Sequence, residues 1–175
     1  TKIAVRKDEF GDFVEYIKTR LSVNVNYTHF TFDNSLWDDK SQFQGVLLGS
    51  DIRYITGPAN MPALYFNGGP ASTNVIELPT NIYPISNYTI TMWFKEDEDQ
   101  IGSSLLYTSF EHGYSNIIPH NEDYKALFRI KEVTGEETPW TDAHGVVAPK
   151  KNVWNFLAAS YNYRTRTSNI YINGL

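Results

Sequence analysis

The chain has 175 residues, no cysteine and a formal net charge of −5. A chain of this length suits a single domain that buries about 70% of its unfolded surface, so it needs neither a disulfide nor a metal for stability. The acidic balance, with no cluster of Lys and Arg among aromatics, argues against nucleic acid as a partner. No apolar stretch is long enough to span a bilayer, so we expect no membrane insertion.

Residues 1–26 are predicted to form a separate anchor segment. After Asp8 and Glu9, apolar residues recur at helical spacing, and acidic residues near the start of a helix suit its dipole. The apolar positions are Phe10, Phe13, Val14, Ile17 and Leu21. We predict an amphipathic helix over residues 8–21, whose apolar side either packs on its own domain or contacts other chains of an assembly.

Two later segments have the pattern of strands in a common core. Residues 88–95 alternate with a period of two and are rich in β-branched and aromatic residues. Residues 154–161 are apolar at both parities, which is typical of a buried, central strand. The polar stretch 161–169 predicts a hairpin connection into Ile170, and Asn173-Gly174 predicts a tight turn with positive φ.

Four motifs follow one another in an order that resembles a known superfamily. They are Ala63-Leu-Tyr-Phe-Asn-Gly68, Tyr88-Thr-Ile-Thr-Met-Trp-Phe-Lys95, Trp154-Asn-Phe-Leu-Ala-Ala-Ser-Tyr161 and Tyr171-Ile-Asn-Gly174. Their order and spacing are similar to those of LamG-like jelly rolls, in the concanavalin A-like lectin/glucanase superfamily. The resemblance covers Tyr27 to Leu175, and it implies an all-β, antiparallel two-sheet jelly-roll sandwich over residues 27–175. Because members continue past the last of these motifs, we expect the sandwich to lack its final strands and the chain to be a fragment.

The sequence offers little for catalysis, although the superfamily includes glycoside hydrolases. A retaining hydrolase needs two carboxyl groups about 5 Å apart. The Glu-x-Asp-x-x-Glu strand of the family's hydrolases does not occur here, and Glu136-Glu137 has the pattern of a solvated turn. We predict a protein that is not an enzyme, with glycoside hydrolase as a minor alternative.

Metal and cofactor sites are also not predicted. The four histidines are far apart in the sequence and do not show the spacing of zinc ligands. Calcium stays an alternative at two places, the acidic run of residues 95–100 and the group Asp33, Asn34, Asp38 and Asp39 around Trp37. For both, a solvated loop or a set of turns is the simpler interpretation.

Two segments carry the residue types that bind sugars, which need an aromatic ring for their C–H face and planar polar groups for their hydroxyls. We predict both segments to be loops, and the resemblance implies binding either through loops at one rim or through the concave sheet. The first supplies His112, Tyr114 and Asn116, and the second supplies Trp140, Asp142 and His144. The alternative for each is an ordinary connection whose aromatic ring caps the core.

Two compatible hypotheses of function follow. The first is a non-catalytic recognition or adhesion module for a surface glycan or partner protein, with a solvent-facing ring among Trp37, Tyr114 and Trp140. The second is a structural or appendage protein of a virus particle, because the opening of the chain is similar to those of some tailed-phage structural proteins. Both place the protein outside cells, at a cell surface or in a virion.

Overall fold

The computed structural model describes residues 27–68, 73–79, 82, 87–97, 103–110, 113–120, 125–132 and 140–175. The predicted N-terminal helix, including Phe10, Phe13, Val14, Ile17 and Leu21, lies outside these residues. Within the described ranges the chain consists of antiparallel strands with one short 3-10 turn, Pro58–Asn60, which confirms the predicted all-β class. No helix in these ranges has the length and apolar character to cross a membrane.

The described strands, in chain order, are β1 Val46–Leu48, β2 Ile52–Thr56, β3 Pro62–Phe66, β4 Val75–Glu77, β5 Tyr88–Phe94, β6 Leu106–Phe110, β7 Gly113–Ile118, β8 Leu127–Glu132, β9 Thr141–His144, β10 Asn155–Asn162 and β11 Thr167–Ile172. Two sheets form the sandwich. One has the order β11-β10-β5 and the other is a meander, β6-β7-β8-β9. Two further antiparallel pairs, β1 with β4 and β2 with β3, lie along the earlier part of the chain.

The strand predictions for residues 88–95 and 154–161 are confirmed. In β5 the side chains of one parity point inward, ending at the buried Phe94, while Trp93 on the other parity is 47% exposed. β10 lies between β5 and β11, as expected for a strand that is apolar at both parities. Its inward parity, with Leu157 and Ala159 fully buried, is in the core, and Phe156 on its outward parity packs against Trp93 at 5.2 Å between ring centroids.

The predicted hairpin and tight turn are also confirmed. β10 and β11 pair from Asn162 with Thr167 to Leu157 with Ile172. Asn173 and Gly174 have φ angles of 53° and 83°, in the left-handed region that Asn and Gly tolerate best.

The core lies between the two sheets. β11 packs across onto β8 and β9, so each sheet buries one face against the other. The buried apolar cluster contains Phe94, Leu157, Ala159, Tyr161, Ile170 and Ile172 from the first sheet, with Ile117, Ala126, Phe128 and Ile130 from the second or its margin. This packing leaves the opposite face of the meander directed outward.

A buried amide joins three segments at one end of the first sheet. Asn155 is fully buried, and its side-chain oxygen accepts hydrogen bonds from the backbone N–H of Lys150 and from Nδ2 of Asn173. Its Nδ2 donates to the backbone carbonyls of Lys150 and Val153. All four hydrogen-bonding positions of the amide are therefore used, so the start of β10, the preceding loop and the turn after β11 are fixed together.

We predict that Asn155→Ala lowers the free energy of unfolding by about 2–4 kcal/mol, because it removes the four hydrogen bonds of a fully buried amide and leaves a cavity in its place. Urea denaturation measures this change. Asn169→Ala is the matched control, since Asn169 is an exposed residue of β11 and its loss should change stability by less than about 0.5 kcal/mol. Equal losses of unfolding free energy for the two substitutions would contradict this structural role of Asn155.

Asp38 organises the turn after Trp37. Its carboxylate accepts hydrogen bonds from the backbone N–H groups of Gln42 at 2.6 Å and Phe43 at 2.7 Å, with a longer one from Lys40 at 3.3 Å. Burial opposes ionisation of Asp38, but these hydrogen bonds and the charge of Lys40 outweigh it and hold the pKa below its ordinary value. The carboxylate thus serves the turn, as the simpler interpretation of this group predicts.

Because the folded pKa of Asp38 is lowered, its contribution to stability is present above the unfolded pKa of about 3.9 and is lost as pH falls through the folded value. We predict that Asp38→Asn costs about 1–3 kcal/mol at pH 7 and progressively less below pH 4. Urea midpoints between pH 3 and pH 7 test this, with the exposed Asp33→Asn as the control. A loss that stays constant across this range would contradict it.

Candidate functional site

The outward face of the meander carries a cluster of aromatic and charged side chains. Alternation along β8 places Phe128 and Ile130 in the core and directs Arg129 and Lys131 outward. In β6 and β7, Thr108 and Ser115 point inward and share a buried 2.7 Å hydrogen bond, so the neighbouring residues point outward. Among the residues of outward parity, we call Tyr107, Tyr114, Asn116, Arg129, Lys131, Trp140, Asp142 and His144 the aromatic face. Ile118 and Leu127 share this parity, and Leu127 is buried.

The strand register aligns four of these residues in one row. Tyr107 pairs with Asn116, Asn116 with Arg129, and Arg129 with Asp142, so one residue comes from each strand of the sheet. In the adjacent row Tyr114 pairs with Lys131, and Trp140 immediately precedes β9. Residues from four different strands are therefore neighbours on one surface.

Three rings are in contact across this surface. Tyr114 packs edge-on against Trp140 at 4.7 Å between ring centroids, and Tyr107 lies 6.0 Å from Tyr114. Such aromatic pairs stabilise each other by about 0.5–1.5 kcal/mol beyond the area they bury. Trp140 remains 39% exposed and Tyr107 60% exposed, so the rings are fixed in place and still accessible to solvent. This confirms that Trp140 is a solvent-facing ring, as Trp37 is at 44% exposure.

Two cations lie against the Trp140 ring. The guanidinium carbon of Arg129 is 4.8 Å from the ring centroid, and Nζ of Lys131 is 5.5 Å from it, both within the range of cation–π attraction. Arg129 also binds Asp142 in a bidentate pair, with Nε to Oδ1 at 3.0 Å and Nη2 to Oδ2 at 2.9 Å. The hydrogen bond to Asp142 raises the pKa of Arg129 above its ordinary value, so this cation stays fully charged.

Two polar groups of the aromatic face have unused bonding capacity. Oδ1 of Asn116 is buried and has no hydrogen-bond partner among the described residues. The ammonium of Lys131 has no carboxylate within ion-pair distance in the same part of the chain, in contrast to Arg129. Buried polar atoms in folded proteins are generally hydrogen-bonded, so the amide oxygen is an acceptor for a buried water.

The structure brings most of the predicted binding residues onto this one face. Tyr114 and Trp140 are in contact, and Asn116 and Asp142 flank Arg129. His144 is on the same face, about 13 Å along β9 from Trp140, and pairs with Leu127. His112 lies outside the described residues.

The prediction that these two segments are loops is wrong. Gly113–Ile118 and Thr141–His144 are strands of the meander, and the residues lie on a sheet face. Gly, Ser, Asn and Asp disfavour strands on their own, but pairing on both sides of β7 and the packing of Ile117 and Ser115 in the interior override that preference. The loop prediction followed from the local residue composition, which the strand pairing overrides.

Three residues of the aromatic face were not predicted from the sequence, namely Tyr107, Arg129 and Lys131. The alternation Leu127-Phe-Arg-Ile-Lys-Glu132 is itself a strand pattern with period two, and it directs Arg129 and Lys131 to the face opposite Phe128. Nothing in this local pattern indicates that Trp140 lies beside them, because that contact depends on the pairing of β8 with β9.

The described residues show no group of three or more His, Asp or Glu side chains placed to hold a metal. Among the described side chains of the aromatic face, the one carboxylate is Asp142, and it is paired with Arg129. A retaining glycosidase mechanism requires two carboxyl groups facing each other across the substrate. The described side chains of the aromatic face do not present such a pair.

Comparison with known families agrees with this fold. The model of the concanavalin A-like lectin/glucanase superfamily matches residues 63–175, well over half of the chain. The chain belongs to this superfamily, within its LamG-like branch, as its motif order predicts. No curated protein and no solved structure matches the sequence. Membership of the superfamily supports a generic role in binding carbohydrate or protein. LamG-like domains are typically non-catalytic, although the superfamily also contains glycosidases.

We predict that the Arg129–Asp142 pair contributes less than about 1 kcal/mol to stability, because both side chains are partly exposed and solvent screens the pair. A double-mutant cycle of Arg129→Gln and Asp142→Asn, followed by urea denaturation, measures the coupling. The coupling should also fall as salt is raised. A coupling above about 2 kcal/mol would mean that the pair is mainly a structural device.

Proposed function

We propose that this domain is a non-catalytic recognition module that binds a surface glycan on the aromatic face of the meander. The observation that carries the proposal is the contact of Tyr107, Tyr114 and Trp140 as a connected, exposed row of rings. The proposal gives the generic binding role of the superfamily a location and a class of ligand.

The rings suit a sugar because pyranose rings present apolar C–H groups that pack on aromatic faces. Trp140 and Tyr107 come from opposite edge strands of the meander, and Tyr114 lies between them. Such a row is long enough to contact more than one sugar unit, since neighbouring strands are about 4.8 Å apart. An extended glycan chain lying across the strands fits this arrangement.

The polar residues beside the rings suit the hydroxyl groups of a sugar. The side chain of Asn116 lies in the same row, and the Arg129–Asp142 pair offers donors and acceptors in fixed positions. Because the ion pair and the cation–π contacts hold these groups before a ligand arrives, binding costs less side-chain entropy. The described residues of the aromatic face are mostly polar or aromatic, which favours a glycan over a protein partner, whose interface would present a larger apolar centre.

Localisation at a cell surface or in a virion is a proposal that follows from this role, since surface glycans are found there. The virion hypothesis itself stays a prediction, because it depended on the N-terminal segment. The same holds for contacts with other chains through Phe10, Phe13, Val14, Ile17 and Leu21.

We predict that Trp140→Ala lowers glycan affinity more than 10-fold, and that Tyr114→Ala lowers it by a smaller factor because Tyr114 mainly supports Trp140. The measurement is a glycan array followed by titration calorimetry of the best ligand, with calcium and with chelator. Calcium independence is expected.

The matched control is Trp93→Ala. Trp93 has comparable exposure but belongs to the opposite sheet, where it packs on Phe156. The Trp93→Ala variant should bind the glycan with an affinity within about 2-fold of wild type, provided that the same fraction of the protein is folded. Glycan binding by wild type that is lost in Trp93→Ala and kept in Trp140→Ala would move the site to the other sheet.

A further inference from the structure

We infer that the aromatic face selects glycans whose repeating unit carries a carboxylate, such as a hexuronic acid. This inference rests on the proposed glycan-binding function and adds the chemistry of the ligand. It follows from the difference between the two cations that flank Trp140.

The two cations differ in how their charge is compensated. Arg129 is neutralised by the bidentate pair with Asp142, whereas Lys131 has no carboxylate within ion-pair distance among the described residues. Both lie within 6 Å of the centroid of the same indole ring, so Lys131 is the cation at this ring whose charge is left uncompensated among the described residues. An anion bound beside Lys131 would compensate this charge.

The position of Lys131 favours an anion carried by a stacked sugar. Its Nζ is 5.5 Å from the centroid of the Trp140 ring, and its strand partner is Tyr114, the central ring of the row. A carboxylate at C5 of a pyranose extends from the edge of the sugar ring, within reach of a cation beside the aromatic platform. The sugar ring and its acid would thus be bound by adjacent residues of the same row.

The charge of the chain limits how acidic the ligand is. The whole chain has a formal net charge of −5, and the aromatic face has a single uncompensated lysine. A densely sulfated polymer, with several charges per repeat, would be repelled overall and would find one free cation. One carboxylate per repeat matches one ammonium. An acidic peptide is disfavoured because the described part of the face offers few apolar side chains beside its rings.

The test compares matched pairs of ligands with and without the acid. We would titrate oligogalacturonate and its carboxyl-reduced form, together with heparin and poly-glutamate, into wild type, Lys131→Gln and Lys131→Arg. We expect wild type to prefer oligogalacturonate over the reduced form by about 10-fold, Lys131→Gln to abolish this preference, and Lys131→Arg to keep it within about 3-fold. The preference should shrink between 0.05 and 0.3 M salt.

The control is Arg164→Gln, which removes the same charge from the exposed turn between β10 and β11 in the other sheet. It should leave the preference intact. If both forms of the glycan bind equally and depend on Trp140, the carboxylate inference is overturned while the glycan function stands. Tighter binding of heparin or poly-glutamate also overturns the inference, and the absence of binding to any glycan overturns both.

Discussion

The aromatic face depends on the burial of Phe128 and Ile130 between the two sheets. A strand turns successive side chains to opposite faces, so these two core residues determine that Arg129 and Lys131 point outward. A slip of one residue in the pairing of β8 would exchange the cations with the core residues, burying two charges and exposing a phenylalanine. The cost of such burial fixes the register, and the register brings Arg129 beside Asp142 and Trp140.

A second constraint acts at the end of the first sheet, where Asn155 satisfies four backbone and side-chain partners. The turn after β11 has positive φ angles at Asn173 and Gly174, and Asn173 also accepts a hydrogen bond from the backbone N–H of Phe156. The strands β10 and β11 are therefore held in register from this end as well as by the hairpin. Since β11 packs on β8 and β9, this register supports the meander from its buried side.

The electrostatics of the aromatic face differ from those of the chain as a whole. An acidic protein carries here two cations against one indole ring, and among the described residues Asp142 is the one carboxylate that compensates them. The arrangement is maintained because Arg129 is held by two hydrogen bonds and an aromatic contact, which together fix its orientation. A side chain held in this way is suited to recognition, since little conformational freedom is lost on binding.

By itself, the sequence determined the fold class, the superfamily, two of the three strands of the first sheet and the tight turn at Asn173-Gly174. These features depend on local alternation, residue type and motif order, all of which are visible along the sequence without knowledge of the fold. It also singled out Tyr114, Asn116, Trp140 and Asp142 by residue type, but it assigned them to separate loops. Only the tertiary structure decided that they share a sheet face with Tyr107, Arg129 and Lys131, because strand pairing between distant segments sets which residues are neighbours.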